Sequence, residues 1–384
     1  MANERFLEAA IRVADWCVTN QVTRRDSGDR GRFVRWLRVA DGASRLSTNW
    51  TTGTTLIGLL AAHERTNDEK YLESARLAAG YLKSLQVLDT RTPHAFGVFR
   101  EETPQTGQAH PRDALTAAWA LLALHQVEPD QELLDRALIF ADWFTKFALR
   151  TGYPAWTMYC DDRPWYEIHG SFHGGSPAFF HDLARVTGDA SWIERASVPI
   201  CDYYIDRFLK EDGGLEIVYL PEEDRFATDE EHWTYPVIWQ HMHKYNDDFA
   251  ITALVGTYLD TKDGKYLEAA RRLAGRLMRE QNDDGSYGRP MVASASGVVA
   301  MELVDLHRVT GDDAWLASAT RAGEHLLTLQ ETGDDPACTG AIYGMDADGD
   351  INAHRTTLVL RATSYALTAL LKLDGAVTGP FFTA

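Results

Sequence analysis

The sequence predicts an all-α protein: an (α/α)6 barrel, or toroid, of about twelve helices arranged as six hairpins. Three observations carry the prediction. A helix-turn-helix pattern recurs along the chain, its connections alternate between short and long, and the last helix lacks a partner that the first can supply.

The repeat is plainest at 59–86, 179–197, 254–281 and 303–330, with a weaker copy at 121–144. In each, a helical run ends in a short polar turn, Thr-Gly-Asp in two of them, and an aromatic, a Leu and an Ala-rich run follow. Apolar residues recur at three- and four-residue spacing, which marks a buried helical face. Gly in the turn stops one helix and Asp caps the next. The pattern places helices at about 3–20, 50–66, 68–87, 111–127, 130–149, 173–188, 190–209, 245–261, 264–281, 291–310, 312–330 and 355–373. The connections at 21–49, 88–110, 151–172, 210–244 and 331–354 are long, and 282–290 is the short member of that class. Six hairpins closing on one another would gather the long loops at one end, where function is expected. An open solenoid of the same period is the alternative, but neither chain end reads as a polar cap. No linker is visible, so residues 1–384 read as one catalytic domain. Three outer helices end in SLQ, REQ and TLQ before the glycine turns HAFGVF, DGSYG and GAIYG, which we read as structural pins at the loop bases.

Composition narrows the function. A net charge of −18 without a basic run argues against nucleic acid. Four scattered cysteines without a C-x-x-C signal neither a disulfide framework nor a zinc site, and fit a reducing compartment. No stretch approaches a membrane span, so a cytoplasmic protein, monomer or homodimer, is expected. Phosphate loops, GxGxxG and GxSxG are absent, so no cofactor is expected. The histidines at 169, 173, 232, 241, 243 and 354 match no standard metal spacing, and no metal is expected either.

Helices that follow long loops would start at the functional end and point their positive dipole ends into it. The long loops are dense in Trp, Tyr and His mixed with carboxylates, the composition of a sugar cleft. Asp113 opens one inner helix in HPRDALT, where it could instead be a cap, and Asp247 and Asp248 open another in KYNDDFA. Asp161 and Asp162 stand in a loop beside Arg163, which can simply pair with one of them. Paired carboxyls raise a pKa and can supply a general acid.

The stretch NWTTGTTLIGLLAAHERTNDEKYLESARLAAGYLKSL, residues 49–85, resembles the start of the unsaturated glucuronyl and rhamnogalacturonyl hydrolases, single-domain (α/α)6 enzymes. That resemblance implies an Asp at an inner-helix start, matched by Asp113, which protonates the double bond of a 4,5-unsaturated uronic acid. The family's second Asp, at the third inner helix, is replaced here by His173-Gly174-Gly175.

The expected function is therefore a glycoside hydrolase acting on an oligosaccharide that contains a uronic acid. Asp113 would be the general acid, with Asp247 or Asp248 orienting water. Trp50, Trp165, Trp233, Tyr235 and Tyr287 would line the sugar site, and Arg112, His173, His354 or Arg355 would grip a carboxylate. A lyase or epimerase is the alternative, with Tyr235 or His173 as base and Asn246 with an arginine neutralising the carboxylate. A third possibility is a non-catalytic or terpene-cyclase-like toroid, which lacks support because no DxDD motif occurs.

Overall fold

The computed structural model describes residues 2–161, 163, 166–228, 231, 242–245, 249–344 and 356–375. Among them are twelve α-helices: α1 (Ala2–Thr19), α2 (Asn49–Thr66), α3 (Glu69–Leu85), α4 (Pro111–Val127), α5 (Gln131–Trp143), α6 (Pro177–Thr187), α7 (Val198–Arg207), α8 (Ala250–Thr261), α9 (Gly264–Glu280), α10 (Ala293–Thr310), α11 (Asp313–Leu329) and α12 (Leu360–Asp374). Short strands occur in the long loops: β1 (Val34–Arg38), β2 (Ser44–Leu46), β3 (Gln108–Ala109), β4 (Ala155–Tyr159), β5 (Tyr166–Gly170), β6 (Val218–Leu220), β7 (Arg225–Phe226) and β8 (Thr357–Val359).

Contacts divide the chain into two compact units, Met1–Leu82 with Glu280–Ala384, and Lys83–Arg279. The first holds α1, α2, α10, α11, α12 and the sheet β2-β1-β8. The second holds α4 to α8 and the antiparallel sheet β3-β4-β5-β6-β7. The strands are too short to show a period in sequence. They pair backbone groups that a long loop would otherwise leave unsatisfied.

The short turns share one hydrogen-bond scheme. In Thr66-Asn67-Asp68, Thr187-Gly188-Asp189, Thr261-Lys262-Asp263 and Thr310-Gly311-Asp312, the Thr hydroxyl donates to the carbonyl four residues back at 2.7–2.8 Å. The same oxygen accepts from the Asp amide at 3.2–3.3 Å. The Asp carboxylate then accepts the amide two residues on at 2.9–3.1 Å, as an N-cap does. The middle residue is left-handed in every copy, with φ between 56° and 70°. Histidines close three turns: His63, His125 and His307 each bond, through Nδ1, the carbonyl five residues on at 2.8–3.1 Å.

At the other end of the outer helices a glutamine clamp recurs. Gln21, Gln86, Gln281 and Gln330 each donate their side-chain amide to the carbonyl of Gly31, Gly97, Gly285 or Gly340, and to a carbonyl within the next outer helix, at 3.0–3.2 Å. The helix acceptors are Ser74 on α3, Arg136 on α5, Ser318 on α11 and Ala9 on α1. Each clamp glycine has φ between 85° and 108°, and a Cβ there would collide with a backbone carbonyl of the neighbouring helix. A fifth copy, at Gly213 under Arg272, has Leu209 in the glutamine's place.

The clamp from Gln330 to Ala9 ties α11 to α1. Within the same unit α1 also packs on α12, the last described helix. An open solenoid would leave α1 and α12 without each other.

Two inner helices repeat D-L-x-R-V-T-G-D and bury its first Asp. Asp182 on α6 accepts from Trp119 Nε1 at 2.6 Å. Asp305 on α10 accepts two bonds from the fully buried Lys372 on α12, at 2.6 and 2.7 Å. Removing one partner of such a buried pair leaves an uncompensated charge, so each Asp ties adjacent inner helices.

Two stability changes are expected. Gly285→Ala, which meets the Arg321 carbonyl, should cost more than about 2 kcal/mol. Lys262→Gly relieves a φ of 60° on a lysine and should raise stability by about 0.5–1 kcal/mol. Chemical denaturation of both variants measures these; a neutral Gly285→Ala would contradict the clamp.

Candidate active site

The best-defined ionisable cluster off the short turns lies at the start of α4, in the second unit. β3 leads through His110 into Pro111, whose ring occupies the first helical position and whose missing N–H costs nothing there. Arg112 and Asp113 complete the first turn, where the helix dipole favours an anion. Asp113 is buried, with 12% of its side chain exposed. Its Oδ1 accepts from Arg112 Nε and Nη2, both at 2.7 Å, and its carboxyl is hydrogen-bonded to Glu101. Burial pushes the Asp113 pKa up, but the Arg112 charge, His110 and the bonds from Glu101 and Arg112 outweigh it and hold the carboxyl at about 2.

Glu101 was not among the expected site residues. It arrives from the clamp: Gln86 fixes Gly97, Phe99 bridges back to Gln86, and the Glu101 amide donates to the Gln108 carbonyl at 3.1 Å. The signal in sequence was the R-E-E that follows the HAFGVF turn.

Aromatic and imidazole rings enclose this corner. The Arg112 guanidinium lies over the Phe172 ring at 5.2 Å, and Phe172 packs against His243 at 4.9 Å. His110 Nδ1 bonds the Trp156 carbonyl at 3.1 Å and the Thr157 hydroxyl at 2.9 Å, while Nε2 meets the Gln108 side-chain amide at 3.2 Å. An Nε2 that accepts from that amide belongs to a neutral ring. His169 on β5 bonds the Tyr203 hydroxyl at 2.7 Å and the Thr151 hydroxyl at 3.2 Å. His173 ends the single turn of 3-10 helix before α6, is wholly buried, and has neither ring nitrogen hydrogen-bonded among the described residues. All three histidines have lowered pKa values: burial is the main cause, helped by Arg207 at His169, which falls to about 4, and by Arg112 at His173.

Other expected residues are placed as follows. Trp50 is buried in the first unit, donates Nε1 to the Tyr365 hydroxyl at 3.1 Å and lies 6.0 Å from the Arg361 guanidinium. Tyr287 is fully buried, so its ring has no open face on which a sugar could stack. Asp161 is exposed and paired with Arg163 at 2.8 Å. Trp165, Trp233, Tyr235, Asn246, Asp247, Asp248, His354 and Arg355 lie outside the described residues. Among the described residues no three His, Cys, Asp or Glu side chains form a metal-competent group, and no helix is long and apolar enough to cross a membrane.

Comparison with known proteins identifies the fold. The family model of the beta-L-arabinofuranosidase GH127 catalytic domain matches residues 200–346. The unsaturated glucuronyl hydrolase of Bacillus sp. GL1, responsible for degradation of glycosaminoglycan, superposes with a TM-score of 0.74 at 17% identity, over 98% of this chain and 99% of that one. Cellobiose 2-epimerase from Bacillus thermoamylovorans B4167 gives 0.71 at 13% identity, over 96% and 99%. An inactive variant of the alpha-1,6-mannanase of Salegentibacter sp., in complex with alpha-1,6-mannotriose, gives 0.64 at 16% identity, over 97% and 99%. No curated protein matches the sequence. The chain has the (α/α)6 fold, and its resemblance to the unsaturated glucuronyl hydrolases holds at that level.

The buried histidines set a pH dependence. His110, His169 and His173 stay neutral in the fold, whereas the same groups in the unfolded chain take protons near 6.5. The unfolded state thus binds more protons below that pH, and stability falls as pH falls. Between about pH 7 and 5.5 the unfolding free energy should drop by roughly 2–4 kcal/mol, measured by urea titration. His173→Gln should lessen the slope, and a flat profile would refute the assignment of neutral rings.

Proposed function

We propose that the chain is a glycoside hydrolase acting on an oligosaccharide that contains a uronic acid, with residues 1–384 as one catalytic domain. The observation that carries the proposal is the buried Asp113, held at the start of α4 by Arg112 and bonded to a second carboxyl. A buried carboxyl at a helix start is a candidate general acid, and the second carboxyl of glycoside cleavage, about 5–9.5 Å from the first, would be Asp247 or Asp248. The match of residues 200–346 to an arabinofuranosidase domain and the sugar-active neighbours of the same fold support the reaction class. Fold alone selects no chemistry, so the weight rests on Asp113.

In this reading a substrate carboxylate draws the Arg112 charge away from Asp113 and so raises its pKa, and Asp113 then protonates the departing oxygen, or the double bond of an unsaturated uronide. Arg112, already bonded to Asp113, orients that carboxyl and offers its remaining donors to the substrate carboxylate. Asp247 or Asp248 guides the water, and Trp165, Trp233, Tyr235 and Asn246 complete the sugar site. Four free, buried cysteines agree with a reducing compartment, and we place the chain in the cytoplasm.

A second reading has one observation in its favour. His173 is an imidazole with a lowered pKa whose two nitrogens have no bonded partner among the described residues, and such a ring, beside the charge of Arg112, can abstract a proton next to a carboxylate. A lyase or epimerase would use it so.

A panel of unsaturated uronides, arabinofuranosides and intact polyuronides tests both. A hydrolase of unsaturated sugars lowers the absorbance of the conjugated double bond, a lyase raises it, and an epimerase leaves it unchanged while altering a stereocentre. On the cleaved substrate, Asp113→Asn should reduce kcat/KM at least about 100-fold with an unchanged melting profile. Near-native turnover by that variant would overturn the assignment.

A further inference from the structure

The loop 282–291, which follows α9 and leads into α10, lies in the first unit and forms an open pocket of about 410 Å³. That is within the size range of small-ligand sites. Its walls are fixed by hydrogen bonds that continue the glutamine clamp. Gln281 holds Gly285, and beside it the Asn282 side chain donates to Ser286 Oγ at 2.9 Å and to the Gly288 carbonyl at 3.2 Å. The Asn282 backbone amide donates to the Ser286 carbonyl at 2.9 Å, and Ser286 Oγ donates to Asp284 Oδ1 at 2.6 Å. With its nitrogen so committed, the Asn282 side chain turns Oδ1 toward Arg289 and accepts from Nε at 3.1 Å.

This rigid frame leaves two groups for a ligand. Arg289 Nη1 and Nη2 make no hydrogen bond or ion pair among the described residues, and the bond at Nε holds their fork in one orientation. Asp283 lines the same pocket with a carboxylate that likewise has no partner among the described residues. Pro290 and Met291 add apolar surface.

Charge selects what can bind. Asp284 is ionised, its pKa held down chiefly by the Ser286 hydroxyl, so the pocket carries one fixed cation and two carboxylates. A carboxylate or phosphate would face Asp283 and Asp284, and a metal ion would face Arg289. Like charges brought into one site cost energy. A neutral polyhydroxyl ring meets neither penalty: adjacent hydroxyls can accept from the guanidinium and donate to a carboxylate, while ring C–H groups rest on Pro290 and Met291.

We propose that this pocket binds a neutral sugar unit, with Arg289 and Asp283 dividing its hydroxyls between them. The choice of a sugar among neutral polyols rests on the hydrolase reading, but the site itself requires no turnover.

Methyl proton–carbon correlation spectra of the full chain, labelled at methionine, test the site directly. Met291 lines the pocket, and its signal among the seven methionines is identified by Met291→Leu. The probes are methyl glycosides of neutral hexoses and pentoses, glucuronate and calcium chloride. At least one neutral glycoside should move the Met291 signal saturably, with a Kd of about 1–10 mM, while glucuronate and calcium leave it in place. Arg289→Ala and Asp283→Asn, both at exposed positions, should each weaken that binding about tenfold or more with an unchanged melting profile. No saturable shift with any neutral glycoside, a stronger response to glucuronate or calcium, or binding indifferent to both variants overturns the proposal. Asp113→Asn should bind as wild type does, so a failure of the chain to cleave any glycoside would overturn the hydrolase reading and leave this result standing.

Discussion

The glutamine clamp is the interaction on which the rest of the structure depends. An amide side chain at the end of an outer helix offers two N–H donors at a fixed angle. One is spent on a glycine carbonyl at the base of the next loop and one on a carbonyl inside the neighbouring outer helix. The amide oxygen is used as well: Ser74, Arg136, Ser318 and Arg12 donate to it in the four copies. Each bond contributes about 1 kcal/mol net, but the carbonyls and amide left without partners would cost more. The clamp thus fixes the spacing of successive outer helices and the direction in which each long loop departs. Glycine is required because the loop backbone passes against the neighbouring helix with no room for a Cβ.

The corner at α4 inherits that order. Glu101 lies four residues beyond a clamp glycine, and its amide is tied to β3, so its carboxyl reaches Asp113 without a helix of its own. Arg112 offsets the ionised carboxylate of Asp113, and burial holds the pKa values of His110 and His173 down.

The fold was largely legible because its signals are local and repeated. The Thr-x-Asp turn writes a helix stop and an N-cap into three residues, and the clamp writes itself as Gln, then a Gly. The copy at Thr261-Lys262-Asp263 shows the tolerance of the pattern: a lysine accepts the left-handed backbone that glycine takes at 188 and 311. The strands were not legible, since pairs such as Gln108 with Tyr159 join residues far apart in sequence and are too short for a period. At the candidate site, the place of Asp113 and Arg112 at a helix start was legible. Glu101 was missed because nothing in R-E-E distinguishes a buried carboxyl from an exposed one. Tyr287 was misplaced for the converse reason: its D-G-S-Y-G context reads as an open loop, yet the clamp at Gly285 folds the ring inward.

Hydrogen bonding also distinguishes the two ends of a hairpin. At the short turns the Thr hydroxyl, the Asp carboxylate and in three cases a histidine are bonded to backbone groups. Such side chains are consumed in ending one helix and starting the next, and changing them costs stability. At the start of α4 the same task is done by Pro111, which needs no side-chain partner, and His110 makes no capping bond. The carboxylate of Asp113 is thereby released from capping and bonds side chains instead. An aspartate held by an arginine and a second carboxyl can change protonation state without unwinding its helix, which an N-cap cannot do. The proposed acid role of Asp113 draws on that freedom rather than on the shape of the fold.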